Sequence, residues 1–542
     1  MPETYPGTTG TAGRSGLWSA RVLIGGVDLS ARVIGEIRVD AEEDCARIAE
    51  LTIRPAAATV FSVANWVGKS LSIDIVNLST GSPTDVARLF TGVIDTPTLD
   101  LVEHLIGLRG TDDLQQVADA RSTAEIEALV PGGYASPAIF DPAARGWSAL
   151  QDRLSTVPAS FDLTPNRDPR TTSWAPKAVP DLSFTAAHVL DAGVSVSIAG
   201  ANQLVNQIDI DFGYRFPRVK AETHEVSYDY VSETSLADFV AAGSWFLQRS
   251  AVESAIKSAG GSIVSVAYTP LPTYAIGTWV PGPYDVELCM GFTATVTFDF
   301  GQTIEERHAI TVSAPNSISS VGTRRDRLSG ALEGVYPPLV AAETSMLLFA
   351  NEISSIPPQD AAVGVVGQTT SADVTLTPDT DRAAANAAME TLIAIAKTKI
   401  WASHRHNSVS ASVPLNPAVD VDKTISIAVP GLSAKGKCRA VSHRLSPESG
   451  EAVSEFSIAL CSVAGTGVTH AETPTAAPAG STPGSTALSD FPVVDFNFLS
   501  AEDHVLTITF PGVAAPERDL SVIDVASSYS APLTEDVFSV TI

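Results

Sequence analysis

Cysteine is scarce in this chain, with four residues in 542, Cys45, Cys289, Cys438 and Cys461, and no CxxC spacing among them. That excludes a tetrathiolate zinc centre and a disulfide framework. Only Cys438 and Cys461 are spaced to meet across a hairpin, and reduced thiols are the expectation for all four. Aromatic residues make up 7% of the chain and do not cluster, so no carbohydrate-stacking groove is indicated. Basic residues are also short, 34 Lys and Arg against 61 Asp and Glu, for a net charge of -27. A protein that holds DNA replaces condensed counterions with Lys and Arg, so stable DNA binding is not expected. No apolar run approaches the roughly 18 residues that a membrane-spanning helix needs. Met1 to Gly16 has neither the basic start nor the apolar stretch of a secretion signal.

Apolar residues, in contrast, are present at an ordinary 44%, enough to build cores, and the length implies about three or four domains. Residues 1–16 read as a flexible N-terminus. Residues 17–120 read as a β domain: Ser19–Ile24, Val33–Val39, Ala46–Ile53, Lys69–Val76 and Ala87–Ile94 alternate apolar and polar residues between Gly, Pro and Asp clusters. After a turn at Asp95–Pro97 a returning strand ends at Leu105–Arg109, and helical periodicity begins at Asp112–Val117. Residues 121–184, rich in Pro, Gly and Ser, read as a loop-rich insertion.

Residues 185–380 read as mixed α/β, mostly β. Ala186–Leu190 suggests a short helix, and Gln203–Phe212 a strand with Asp209 and Asp211 on one face. Ser235–Ser258 suggests a helix with Leu236, Phe239, Val240, Phe246 and Leu247 in a stripe, followed by strands at Ser262–Tyr268, Val286–Phe300 and His308–Ser313. Residues 381–465 open with the clearest helix, Asp381–Ser403, Ala-rich with Lys397 and Lys399 toward its end. Strands follow at Ser408–Val413, Lys423–Val429, Lys437–His443 and Val453–Cys461, the last two joined by a turn at Ser446–Glu451. Residues 466–490 have a linker composition of Ala, Thr, Pro, Ser and Gly, and 491–542 form a small C-terminal β segment whose marginal core suggests completion on a partner.

Candidate chemistry is sparse. Gly431 to Lys437 matches the phosphate-cradling GxxxxGK until Cys438, where magnesium needs a Ser or Thr, and a strand follows in place of a helix. It therefore reads as a turn between strands. No GxSxG or HExxH occurs. His404 and His406 read as a solvated helix end, and the pairs Asp209/Asp211 and Asp420/Asp422 have the spacing of one strand face. Glu305-Glu306-Arg307-His308 invites an acid/base reading of the same kind. No catalytic residue, cofactor or metal ligand is assigned, and a structural component is favoured.

Three segments together resemble the phage tail hub family, the baseplate or tail-tip proteins that close the tail tube. Phe90 to Asp95 and Leu105 to Leu114 are similar to the family's hairpin and its Gly-Arg-Asp-type turn into a helix, with Gly92, Arg109, Gly110 and Asp112 at motif positions and Thr111 where the family often has Arg. Asp299 to Pro315 resembles a hub segment through Gln302 and Thr303. The long helix, then Gly436 to His443, then Gly450, resemble the second barrel of such hubs. The resemblance spans residues 17–120 and 185–465.

It implies a mainly β chain with α+β parts, two tail-tube-type β-barrel domains, inserted mixed domains and a C-terminal β-rich tail. It further implies a homotrimer adapting a sixfold tail tube to threefold tip proteins and forming part of the DNA ejection channel. Implied partners are a tail-tube or distal tail protein, tip or fibre proteins reached through 491–542, a tape measure protein, and DNA in non-sticking passage, in a virion tail made in the host cytoplasm. The alternatives are a tail-associated cell-wall hydrolase and a receptor-binding adhesin module. Gly92-Val-Ile and Gly436-Lys-Cys-Arg-Ala-Val give the two barrel regions a loose likeness, for which convergence and duplication both stay open. Acidic side chains of these regions are expected to face the channel.

Overall fold

The computed structural model describes residues 18–56, 65–78, 86–133, 136–190, 193–200, 202–230, 247–258, 261–270, 272–275, 278–281, 288–334, 348–350, 364–376 and 381–463, with strands at 507–509, 519–530, 533–535 and 539–540. The chain is mainly β, built on large antiparallel sheets.

Alternation in the first region becomes β1 (Trp18–Ile24), β2 (Val27–Asp28), β3 (Val33–Glu42), β4 (Ile48–Ile53), β5 (Ser70–Asn77), β6 (Val86–Asp100) and β7 (Leu105–Thr111). Their order in the sheet is β3-β4-β7-β6-β5-β1-β2. Ile37, Val39, Ala49, Leu51, Ile73 and Ile106 point to one face and are almost fully buried. At about 25 cal/mol per Å² of apolar surface, each buried Ile, Val or Leu among them contributes about 1.5–3 kcal/mol.

The expected loop-rich insertion is instead a small α/β module. It contains α1 (Leu114–Asp119), α2 (Thr123–Leu129), α3 (Gly146–Leu154), β8 (Ala159–Leu163) and β9 (Pro169–Ser173). Its core is its own: Leu114, Ile126, Val130, Leu150, Phe161 and Leu163 are buried together. A capping box starts α2, where Ser122 Oγ accepts from the Glu125 N–H and Glu125 Oε2 accepts from the Ser122 N–H at 2.8 Å. These elements are short, and composition outweighs periodicity over so few residues.

β10 (Leu182–Thr185) and β11 (Val194–Ser197) follow. Ala186–Leu190 is a turn, not a helix, closed by the His188 N–H on the Thr185 carbonyl at 2.9 Å. Next come β12 (Gln207–Tyr230), β13 (Leu247–Gln248), α4 (Arg249–Ser258), β14 (Ser262–Pro270), β15 (Pro272–Ala275), β16 (Thr278–Pro281) and β17 (Leu288–Ser313). Of the expected helix from Ser235 to Ser258, Arg249–Ser258 is helical and Leu247 lies in β13, while Leu236, Phe239, Val240 and Phe246 lie outside the described residues. The two expected strands Val286–Phe300 and His308–Ser313 are one strand, β17, which pairs with β12 from Gln207↔Ser313 to Tyr228↔Phe292. Pairing on both sides carries it through the polar run at residues 302–307.

After α5 (Pro315–Val321) come β18 (Arg325–Glu333), β19 (Leu348–Ala350), β20 (Gly364–Leu376) and then α6 (Arg382–His404). The alanines of α6 let it lie close on β12 and β17: Ala385, Ala388, Met389, Leu392, Ala396 and Trp401 share a core with Ile208, Phe212, Tyr214 and Ile310.

The last region gives β21 (Ser408–Pro414), β22 (Thr424–Val429), β23 (Leu432–Leu445), β24 (Ala452–Ala459) and β25 (Cys461–Val463). Cys438 sits opposite Ile458, whereas Cys461 pairs with Glu535 in a separate two-stranded sheet, so the two cysteines do not face each other across a hairpin. In the C-terminal segment, Asp519–Ser530 runs parallel to β17 and Ser539–Val540 pairs with β23, so this segment adds strands to the chain's own sheets.

The two β regions repeat one another in register. β6–β7 and β23–β24 both run from a glycine through one bulge: Val93↔Thr111, Ile94↔Gly110, then Thr96↔Arg109; and Lys437↔Ala459, Cys438↔Ile458, then Ala440↔Ser457. Leu71 faces Gly92 as Ile425 faces Gly436. Ala49 faces Gly110 as Val409 faces Ile458. The Ile94 N–H bonds the Lys69 carbonyl and the Cys438 N–H the Lys423 carbonyl, both at 2.9 Å. Four strands in one order with one bulge at one position favour duplication over convergence.

The units do not close into separate barrels among the described residues. β3 pairs with β23, from Ile37↔Leu445 to Glu42↔Ala440, so both units merge in one 14-stranded sheet that stays open at its ends. The edge that would have to close the first unit is taken by the second.

Candidate functional site

The residues singled out from the sequence fall at different places. In the hairpin β6–β7, a Cβ on Gly92 would sit 2.1 Å from the Thr111 carbonyl oxygen; in β23–β24, one on Gly436 would sit 1.9 Å from that of Ala459. Both glycines therefore permit the close approach of the strand beside the bulge. Gly110 lies on β7 against Leu71. Arg109 is exposed, 3.9 Å from Glu50. Asp112 is buried at the entry to α1, where its Oδ1 accepts from the Leu114 N–H at 3.2 Å and burial pushes its carboxyl up to about 6. Gly450 has φ +74 in the β23–β24 turn. His443 is buried, with Nδ1 2.8 Å from Ser454 Oγ and Nε2 3.1 Å from the Val419 carbonyl; burial first, then Arg47, lower its pKa to about 4. Gln302 and Thr303 belong to β17, opposite Arg218 and Pro217, in a different sheet.

Lys437 of the GxxxxGK lure is 2% exposed and committed within the protein. Its Nζ lies 3.0 Å from Glu43 Oε1 and donates to Thr172 Oγ1 at 2.6 Å and Ser160 Oγ at 3.2 Å. Gly431, with φ +84, makes the turn between β22 and β23. Asp420 and Asp422 are in the loop before β22, not on a strand face, and both reach Arg170, at 2.8 and 3.2 Å. Arg47 adds a 2.7 Å contact to Asp420, and Arg170 a 2.5 Å contact to Asp162. Burial works against the Asp420 charge, yet Arg47 and Arg170 hold its carboxyl well below the usual range. Asp162 is pushed up to about 7 by burial, which outweighs Arg170. This network pins the α/β module to both β units, and guanidinium groups occupy the carboxylates that a cation or an acid/base mechanism would need.

Two further lures are structural too. Glu306 and His308 are buried on β17; Arg382 at the start of α6 grips Glu306 with both terminal nitrogens, and His308 Nε2 lies 3.1 Å from Glu306 Oε2. His404 is not solvated but 2% exposed, between Ser317 Oγ and the Ile400 carbonyl at 2.8 Å each, while His406 is exposed. Asp209 accepts from Thr311 Oγ1 at 3.2 Å, and Asp211 is exposed. Among the described residues no cluster of His, Cys, Asp and Glu could hold a metal ion, and no helix is long and apolar enough to cross a membrane.

What the merged sheet offers is a face and two edges. The face opposite the core is polar: Arg38, Asp40, Glu42, Ser195, Ser410 and Ser442 border a groove of about 790 Å³ across β3, β23, β24, β21 and β11. The carboxylates bordering it have arginine partners, Asp40 with Arg38 and Glu455 with Arg444 at 2.9 Å, and Glu42 with Arg439 at 3.9 Å. The edges are apolar: Val196 is 42% exposed, Ile198 58% and Leu101 74%. Sequence reasoning missed them, although the alternation Val194, Val196, Ile198 was there to read.

No family model and no curated protein matches the chain. Among solved structures it is similar to the tail protein from Neisseria meningitidis MC58, at 9% identity and TM-score 0.37, over 82% of this chain and 96% of that one. It is likewise similar to the 43 kDa tail protein of prophage MuSo2 from Shewanella oneidensis, at 10% identity and TM-score 0.36, over 81% and 98%. A third similarity is to prophage tail protein gp18 from Listeria monocytogenes EGD-e, at 8% identity and TM-score 0.34, over 81% and 94%.

Proposed function

We propose that the chain is a structural component of a phage tail, a hub whose three copies form a ring of six sheet units at the end of the tail tube. The observation that carries this reading is the in-register duplication of a four-strand unit within one chain. Three chains with two such units each present six similar rims to a sixfold tube, while each single-copy element, such as the α/β module, is presented three times to a threefold partner.

The polar face then lines the channel. The carboxylates along it repel phosphate, and three times the net charge of -27 repels a passing duplex. Tube or distal tail proteins, tip or fibre proteins and a tape measure protein are the partners this arrangement serves. The test is the mass of the purified full-length chain by light scattering across concentration, with negative-stain images of the particles. Three chains in a ring with six lobes are expected; a chain that stays monomeric, alone and in assembled tails, overturns the reading. Lysis of cell-wall substrate in a zymogram would replace it with a hydrolase.

A further inference from the structure

Inside the chain, β3 of the first unit lies against the outer half of β23 in the second. Duplication gives each of these strands a counterpart. β11 stands to β21 as β3 stands to β4, with Val196 facing Val409 where Val39 faces Ala49. Thr96–Asp100 of β6 stands to β7 as Ala440–Arg444 stands to β24. Yet the counterparts do not meet. Among the described residues β11 pairs only with β21, and residues 96–100 only with β7.

Burial marks both as unfinished. In the internal joint, Val39 is 1% exposed, Ala41 6%, Val441 3% and Leu445 5%. Among their counterparts, Val196 is 42% exposed, Ile198 58% and Leu101 74%, while Pro97 and the neighbouring Leu99 on the same side of β6 are half-buried. An open apolar strand edge is a template for pairing, and proteins normally cover it.

We propose that β11 of one copy pairs antiparallel with residues 96–101 of a second copy, in the register of the internal joint. Val196 then lies opposite Leu99, Ser197 opposite Thr98 and Ile198 opposite Pro97. Apolar residues meet on the core side and polar residues on the groove side; a slip of one residue would set Val196 against Thr98 or Asp100 and lose both matches. Pro97 replaces Val441 and brings no N–H, so the joint is at most one donor short of the internal one. A contact between two different edges is heterologous, and it closes into a ring when its rotation allows. Closure at three copies rests on the hub reading; the pairing of the two edges does not.

Paired cysteines test the register. On a Cys45→Ser background, Val196→Cys with Leu99→Cys should oxidise to two- and three-chain species in more than half of the protein, reversed by reductant. Val196→Cys with Leu101→Cys, out of register, should cross-link at least tenfold less. Separately, Ile198→Lys with Leu101→Lys should lower the assembled fraction at least tenfold while the circular dichroism spectrum is unchanged. Three-chain particles with no preference for the in-register pair overturn the joint and leave the hub reading standing. A ladder running beyond three chains supports the joint and overturns closure at three. A chain monomeric at every concentration overturns both.

Discussion

Replacing Gly436 by alanine tests the close strand approach on which both units depend. The new Cβ would lie 1.9 Å from the Ala459 carbonyl oxygen and 2.9 Å from its carbon. Ordinary contact begins at 3.4 Å, so β23 and β24 must part by roughly 1.5 Å. Ladder hydrogen bonds do not survive such a displacement. Losing about two of them at ~1 kcal/mol each, with overpacking strain of about 1–3 kcal/mol, gives a destabilisation of about 3–5 kcal/mol. The expected readout is a melting temperature lower by roughly 5–10 °C. A local probe accompanies it: Cys438, buried two residues away, should become reactive toward a thiol reagent, followed by mass spectrometry of its peptide. Gly92→Ala should cost a similar amount through its 2.1 Å contact with Thr111 and leave Cys438 protected. Gly213→Ala is the control: nothing lies within 4 Å of its Cβ, so it should change stability by no more than about 1 kcal/mol, in the stabilising direction. If Gly436→Ala melts like Gly213→Ala and Cys438 stays unreactive, the close approach is not what fixes glycine at this position.

Asp162, raised to about 7 in the folded protein from about 4 in an unfolded chain, contributes stability that is full below pH ~4 and is lost as pH rises through 7. Between pH 5 and pH 8 the urea midpoint of the wild type should therefore fall, by on the order of 2–4 kcal/mol of stability, and that of Asp162→Asn should fall less; parallel profiles would sink the assignment. Arg382→Met leaves the buried Glu306 carboxylate without its guanidinium and should cost about 3–5 kcal/mol, part of it regained by adding Glu306→Gln; an unchanged melt of the single variant counts against a buried ion pair there. Asp40→Lys, Glu42→Lys and Glu455→Lys together should make the chain shift duplex in a gel where the unmodified chain does not, with affinity falling steeply between low and moderate salt. Binding by the unmodified chain under the same conditions would remove the non-sticking role of this face.

The first β unit was legible because its face alternation is strict: Ala49, Leu51 and Ile53 bury while Glu50 and Thr52 do not. The long helix was legible from its alanines. The α/β module was not, because its core residues Ile126, Leu150, Phe161 and Leu163 come from five-to-nine-residue elements among prolines and serines. Ion networks were invisible for another reason. Asp420 meets Arg47 and Arg170 across sequence separations of 373 and 250 residues, and no local pattern encodes that pairing. The free edges were hidden in plain alternation, since Val194–Ser197 signals a strand but not that its outer side lacks a neighbour. Duplication itself showed in the sequence only as two glycines; its register resides in the backbone, where Gly92 and Gly436 each precede one extra residue before the ladder resumes.

The pairing of β12 with β17 also has a mechanical side. From Gln207↔Ser313 to Tyr228↔Phe292 the two strands form one ribbon, about 70 Å long at ~3.4 Å per residue. A pull along that axis loads its interstrand hydrogen bonds together, in shear, whereas a pull across it would peel them one at a time. Force applied to one end is thus delivered to the other with little stretch, and α6, packed on both strands at the Gln207 end, receives it as a rigid displacement.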